Sequence, residues 1–240
     1  MNTKQILIGV ALIMITFLTS CQQDELLYSC DREINKWATL NAEEIKSMTK
    51  SQFLDLDASY QRAAYNAFSP QQRMNLWKTK FEETLQLAWT ASERIHIETL
   101  LNTIEKNIDW FNNSRSQEVM DNIAIETYRW IDVAINDLLW DVETIYAISG
   151  TPLPIFIKDG KFAIAISQSL RDSYGQNTIT RAGECGCHAG NILSDLNCAI
   201  TTIDTPVCQK SDQCSPLPIG CGTVWLQECD GLCGSPIGAK

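Results

Sequence analysis

Residues 69–88, SPQQRMNLWKTKFEETLQLA, decide the fold class. Ser69 suits a helix N-cap, Pro70 the first helical position, and Gln72 the third residue of a capping box. Behind that start, Trp77, Phe81, Leu85 and Ala88 recur at helical spacing. The same grammar repeats downstream. Thr90-Ala91-Ser92-Glu93 is a second capping box, and its helix carries Ile97, Leu101, Ile104, Ile108 and Phe111 on one face, with a break at Asn112-Asn113-Ser114. A third, longer pattern runs through Met120, Ile123, Thr127, Ile131, Ala134, Leu138, Val142 and Ile145. Upstream, residues 42–49 and 52–68 read as shorter helices. Amphipathic faces of this kind pack as a bundle of four or five helices, so a mainly α domain is expected over residues 30–148. Six of the seven tryptophans lie there: Trp37, Trp77, Trp89, Trp110, Trp130 and Trp140. Their spacing points to core packing rather than a ligand groove. Trp130 and Trp140 fall off the main stripe, which assigns them to a second packing surface or to the tail.

The pattern changes at Ser149-Gly150-Thr151-Pro152-Leu153-Pro154. Two apolar runs, 155–157 and 162–166, flank Lys158-Asp159-Gly160-Lys161, a hairpin signal. Residues 167–184 are polar and unpatterned and read as a linker, so 149–184 is hairpin plus linker. From residue 185 onward lie eight of the ten cysteines: Cys185, Cys187, Cys198, Cys208, Cys214, Cys221, Cys229 and Cys233. A 56-residue segment cannot bury enough apolar surface to fold unaided. Four disulfides would supply the missing stability, although eight cysteines allow 105 pairings. A small disulfide-rich module is therefore expected over 185–240, with Trp225 as the aromatic around which its bridges pack. The helical region is expected to fold independently of it.

The N-terminal residues 1–20 have one early lysine, Lys4, and an apolar run from Ile6 to Leu18, the length of a secretory signal. The run ends at Leu18-Thr19-Ser20-Cys21, which has the pattern of a bacterial lipobox. Cys21 is then the lipidated residue, its acyl chains (palmitate among them) anchoring the protein to a membrane; the alternative is an ordinary signal peptide followed by a chance cysteine. Residues 21–29 form the tether. Its Gln22-Gln23-Asp24-Glu25 resembles a surface-export tag of Bacteroidetes lipoproteins, or is simply a solvated spacer. The location expected is the outer membrane, facing outward, with a periplasm-facing lipoprotein as the alternative. Cys30 is left over from the eight tail cysteines, and either stays a thiol or pairs with one of them.

The whole chain has a formal charge of −10, and removal of residues 1–20 takes away one lysine, leaving 18 basic and 29 acidic side chains and a charge of −11. Such a surface repels nucleic acid and anionic lipid, so the lipid anchor and an unidentified protein or cell-surface target are the expected partners, with no nucleic acid. Only His96 and His188 are available as imidazoles. Neither is framed as the base of a catalytic set, and no nucleophile elbow, phosphate loop or zincin motif occurs. Cys185-Gly186-Cys187-His188 has one residue between its cysteines, too few for a zinc knuckle or haem attachment. No catalytic residue, metal or cofactor is expected, and the reading is of a non-enzyme.

Gly220-Cys221-Gly222-Thr223-Val224-Trp225, with Cys185-x-Cys187 and eight cysteines in order, resembles fulvocin C, a small cysteine-rich bacteriocin of a myxobacterium. The whole chain resembles bacteriocin fulvocin C-related proteins, in which a helical region with a string like Ser69-Pro70…Arg73…Leu76-Trp77…Lys80 precedes the tail. The loops between cysteines are longer here than in the bacteriocin, and Cys229 and Cys233 are three residues apart rather than one. The resemblance implies antagonism of other bacteria by a displayed or released tail, with residues 180–184 as an exposed place to cut. The alternatives are a surface binding or structural lipoprotein without toxicity, and an immunity protein.

Overall fold

The computed structural model describes residues 27–158, 161–164, 186–190, 192–193, 207–210 and 215–234. Cys21, the hairpin tip Asp159-Gly160, the linker 167–184 and Cys185, Cys198 and Cys214 lie outside them, as does the side chain of Cys233. The fold is mainly α. Among the described residues eight helices follow in order: α1 Arg32–Leu40, α2 Ala42–Ser47, α3 Lys50–Leu54, α4 Ala58–Ala67, α5 Pro70–Thr84, α6 Ala91–Lys106, α7 Gln117–Asn136 and α8 Val142–Ile145. A 3-10 turn, Ile108–Phe111, joins α6 to α7, and α8 runs into a π-type turn, Tyr146–Gly150.

Local chemistry sets these starts. Ser69 accepts from the Gln72 amide while the Gln72 side chain accepts from the Ser69 amide; Thr90 and Glu93 do the same for α6, and Thr49 and Gln52 for α3. Asp31, Ser116 and Asp141 cap α1, α7 and α8. The helix ends depart from the periodicity. α5 stops at Thr84, so Leu85 is only half-buried and Ala88 is exposed. The Trp89 indole donates to the Thr84 carbonyl (2.7 Å), which turns the chain and sets Trp89 flat on Phe162 of the hairpin, with ring centroids 4.4 Å apart. Ile108 leaves the stripe of α6 and is exposed, whereas Phe111 is buried by the 3-10 turn. The third pattern breaks at Leu139, which has φ +56° and is 82% exposed. The amide of Trp140 closes that turn on the Ala134 carbonyl.

The hairpin forms as its sequence indicates: β1 Ile155–Lys158 pairs antiparallel with β2 Lys161–Ile164, with Lys158 opposite Lys161. In the tail, β3 Val207–Lys210 pairs with β6 Gly231–Gly234, and β4 Leu217–Cys221 with β5 Gln227–Cys229. Cys187 forms an isolated bridge to Gly231. A side chain at Gly231 would come within 2.7 Å of the Cys208 sulfur, so the disulfide and the strand crossing together require glycine.

The core does not stop where the composition changes. Leu193, Ile219, Val224, Trp225 and Leu226 belong to the same buried cluster as Phe53, Tyr65, Trp77, Phe81, Ile97, Ile104 and Phe111. A smaller cluster of Leu217, Cys221 and Cys229, with Cys30 against it, lies beside it. Among the described residues, part of the tail thus packs into the core of the helical body.

Candidate functional site

The distinctive tail string and the helical string meet in the core. Trp225, 4% exposed, is ringed edge-on by Tyr65 (5.2 Å), Trp77 (6.2 Å) and Phe53 (6.5 Å), and its indole donates to the Gly150 carbonyl (3.0 Å). The Arg62 guanidinium lies 5.5 Å from the indole centroid. Trp225 lines one small pocket with Cys187 and Cys221, a member of each described bridge, and its ring also reaches past the tail into the helices.

Backbone geometry in this turn is unusual. Gly222, Val224 and Trp225 have φ of +70°, +54° and +51°. A left-handed backbone costs a non-glycine residue roughly 1–2 kcal/mol, and β-branched Val224 is an especially poor fit. Docking of Val224, Trp225 and Leu226 outweighs that cost.

The helical string contributes more than Trp77. Arg73 is buried and has no ion pair among the described residues; its Nε donates to Tyr65 O (2.7 Å), and its terminal nitrogens to Asn66 O (2.7 Å) and Phe111 O (2.6 Å). Two of those carbonyls end α4, so the cation complements the helix C-terminus. Burial lowers the Arg73 pKa to about 10, against a raising effect of Tyr65. Burial likewise pushes the Tyr65 hydroxyl above its usual range and holds the Lys80 amine well below its own. Lys80 is fully buried and donates to the Leu153 carbonyl, fastening the Pro152–Pro154 segment to α5. Arg115 does the same for the tail: its guanidinium donates to Trp110 O (3.1 Å), Pro218 O (2.5 Å) and Leu226 O.

Beside Arg115 a cleft of about 440 Å³ opens along the seam between α7 and the tail. Met120, Ile123 and Leu226 form an apolar wall, and His188 and Glu228 a polar one. The volume lies within the range of small-ligand sites. His188 Nδ1 is 3.3 Å from Asp230 Oδ1, which also accepts the Ala189 amide (2.8 Å).

His96 is a packing residue. Its ring stacks on Trp130 (4.8 Å, 7°), its Nε2 lies 3.0 Å from Trp130 O, and the Trp130 indole donates to His96 O (3.0 Å). Burial lowers its pKa. Trp140 completes this second packing surface and donates to Glu93 (2.9 Å).

Of the eight tail cysteines, two pairs are seen among the described residues, Cys187–Cys208 and Cys221–Cys229. The Cys30 thiol donates to Ser215 O (3.0 Å). Among the described residues no group of three or more His, Cys, Asp or Glu could hold a metal ion, and no helix is long and apolar enough to cross a membrane. No protein-family model matches the chain, and no curated protein or solved structure is significantly similar to it.

Proposed function

We propose that this chain is an outer-membrane lipoprotein, tethered through Cys21, that acts as one undivided binding body whose fulvocin C-like tail is a fixed wall and not a detachable toxin. The observation that carries this reading is the burial of Trp225 among Phe53, Tyr65 and Trp77. Cutting the chain at 180–184 would leave the tail held by that plug and by the Arg115 contacts to Pro218 and Leu226. A released peptide would also have to expose an indole that the intact protein buries. The seam cleft, with one apolar and one polar wall, suits a partner better than reaction chemistry, and binding is therefore preferred to catalysis.

Antagonism remains the second reading, favoured by the eight-cysteine order and the Gly220–Trp225 string; in this fold it would act by contact, with the whole chain displayed. Mass spectrometry of the cell envelope and of the medium separates the two forms of antagonism and tests the anchor. The expected result is a full-length mature chain, acylated at Cys21, in the envelope. A bridged peptide spanning 185–240 in the medium would overturn the undivided-body reading, and a Cys21→Ser chain that takes up labelled palmitate as the wild type does would overturn the anchor.

A further inference from the structure

The Cys221–Cys229 disulfide closes a loop with Trp225 at its middle. Within that loop Val224 and Trp225 hold left-handed backbone that neither residue favours, and Thr223, Val224, Trp225 and Leu226 are all buried. A strained loop persists only while its surroundings over-determine it. The pocket of Phe53, Tyr65 and Trp77, the hydrogen bonds to Gly150 and from Arg115, and the β4–β5 pairing all contribute here, and the cross-link adds to them by removing the extended conformations an open loop would adopt. Cys187–Cys208 is differently placed. It ties β3 to the Cys187–Gly231 bridge, on strands that carry no ring into the helices.

We propose that Cys221–Cys229 is a redox latch on the docked tail. Oxidised, it holds Trp225 in the helical pocket. Reduced, it lets the loop relax to ordinary backbone angles, and the indole withdraws, leaving an apolar opening lined by α3, α4 and α5. The reductant is a dithiol. Its thiolate attacks one sulfur of the pair, the S–S bond breaks, and the second thiol resolves the mixed disulfide. Two electrons and two protons pass to Cys221 and Cys229, which become thiols, and the dithiol leaves as its cyclic disulfide. The two residues are 3% and 0% exposed, so attack waits on loop opening and the latch resists brief exposure to thiols. The latch rests on the docking geometry and is independent of the lipid anchor.

The test compares two full-length variants, Cys221→Ser/Cys229→Ser and Cys187→Ser/Cys208→Ser, by near-UV circular dichroism, with Trp225→Phe as the reference for the signal of the docked ring. The first variant is expected to fall to the Trp225→Phe level while keeping its helical far-UV signal, and its tail to be cleaved about 30-fold faster by protease, the lower end of what a cross-link contributes. The second is expected to keep the Trp225 signal. Retention of the full Trp225 signal by the first variant overturns the latch, as does equal loss in both. Should the first variant fail to fold, wild-type protein is treated with dithiothreitol and followed by mass and near-UV signal together. Loss in step with reduction of Cys221–Cys229 supports the latch, and a signal that outlasts that reduction contradicts it.

Discussion

The aromatic cluster around Trp225 and the one around His96 are built from similar rings but join different things. Trp89, His96, Trp130, Trp140 and Phe162 come from neighbouring segments and hold α6, α7 and the hairpin together. Phe53, Tyr65 and Trp77 come from α3, α4 and α5, and their fourth ring arrives from the far end of the chain. The His96 cluster is a local clamp with a titratable member. The Trp225 cluster is a long-range joint made of rings that do not titrate near neutrality. The contrast teaches that a segment needing disulfides for its own stability can still supply a keystone to a domain that looks complete without it.

Breaking the joint has the largest expected effect. Trp225→Ala should destabilise the whole protein by about 3–5 kcal/mol, the usual cost of truncating a buried aromatic ring, and should shift the denaturant midpoint read by helical circular dichroism. If only the tail becomes protease-sensitive while the helical midpoint holds, the joint is not shared and the contrast with the His96 cluster disappears.

Arg115→Ala should cost less, about 1–3 kcal/mol, because the Pro218, Leu226 and Trp110 carbonyls lose a half-buried charged donor. Urea unfolding checks it, and faster hydrogen exchange confined to β4 and β5 would separate a loosened seam from general damage. Leu139→Gly should act in the opposite direction. Leu139 is exposed at φ +56°, a helix-ending position that glycine occupies without strain, so a gain of roughly 1 kcal/mol in thermal unfolding is expected. A loss would show that the Leu139 side chain makes a contact that offsets its backbone strain.

The smallest effect is a slope. Burial lowers the His96 pKa, so the folded state prefers the neutral ring. Its contribution is complete above the ordinary imidazole value of about 6.5 and declines as pH falls from there toward the folded value, because the unfolded chain binds the proton first. His96→Gln should flatten the dependence of stability on pH below that point. An unchanged slope would assign the acid sensitivity to other groups and leave the clamp without its titratable element.

How much of this was legible follows the same contrast. The starts of α5 and α6 could be read because Ser69 with Gln72, and Thr90 with Glu93, act over three residues. The hairpin could be read because Lys158-Asp159-Gly160-Lys161 carries its own turn chemistry. The ends of α5 and α7 were less accessible: Trp89 turning back on Thr84, and Leu139 in a left-handed conformation, depend on tertiary partners that periodicity ignores. The pocket for Trp225 was hidden for the same reason. Its ring partners Phe53, Tyr65 and Trp77 and its hydrogen-bond acceptor Gly150 all lie far upstream along the chain. Arg73 and Lys80 stand in the helical string as polar residues, yet both are buried, because their partners are backbone carbonyls and not side chains that a sequence pattern displays.

The most direct measurement is thermal unfolding of a chain that ends before Cys185, followed by near-UV and far-UV circular dichroism beside the full-length protein. If the tail supplies the keystone, the shortened chain keeps much of its helical far-UV signal but loses its near-UV spectrum and its cooperative transition, as a body without fixed tertiary packing does. A shortened chain with a native near-UV spectrum and a cooperative transition at the full-length temperature would contradict the shared core.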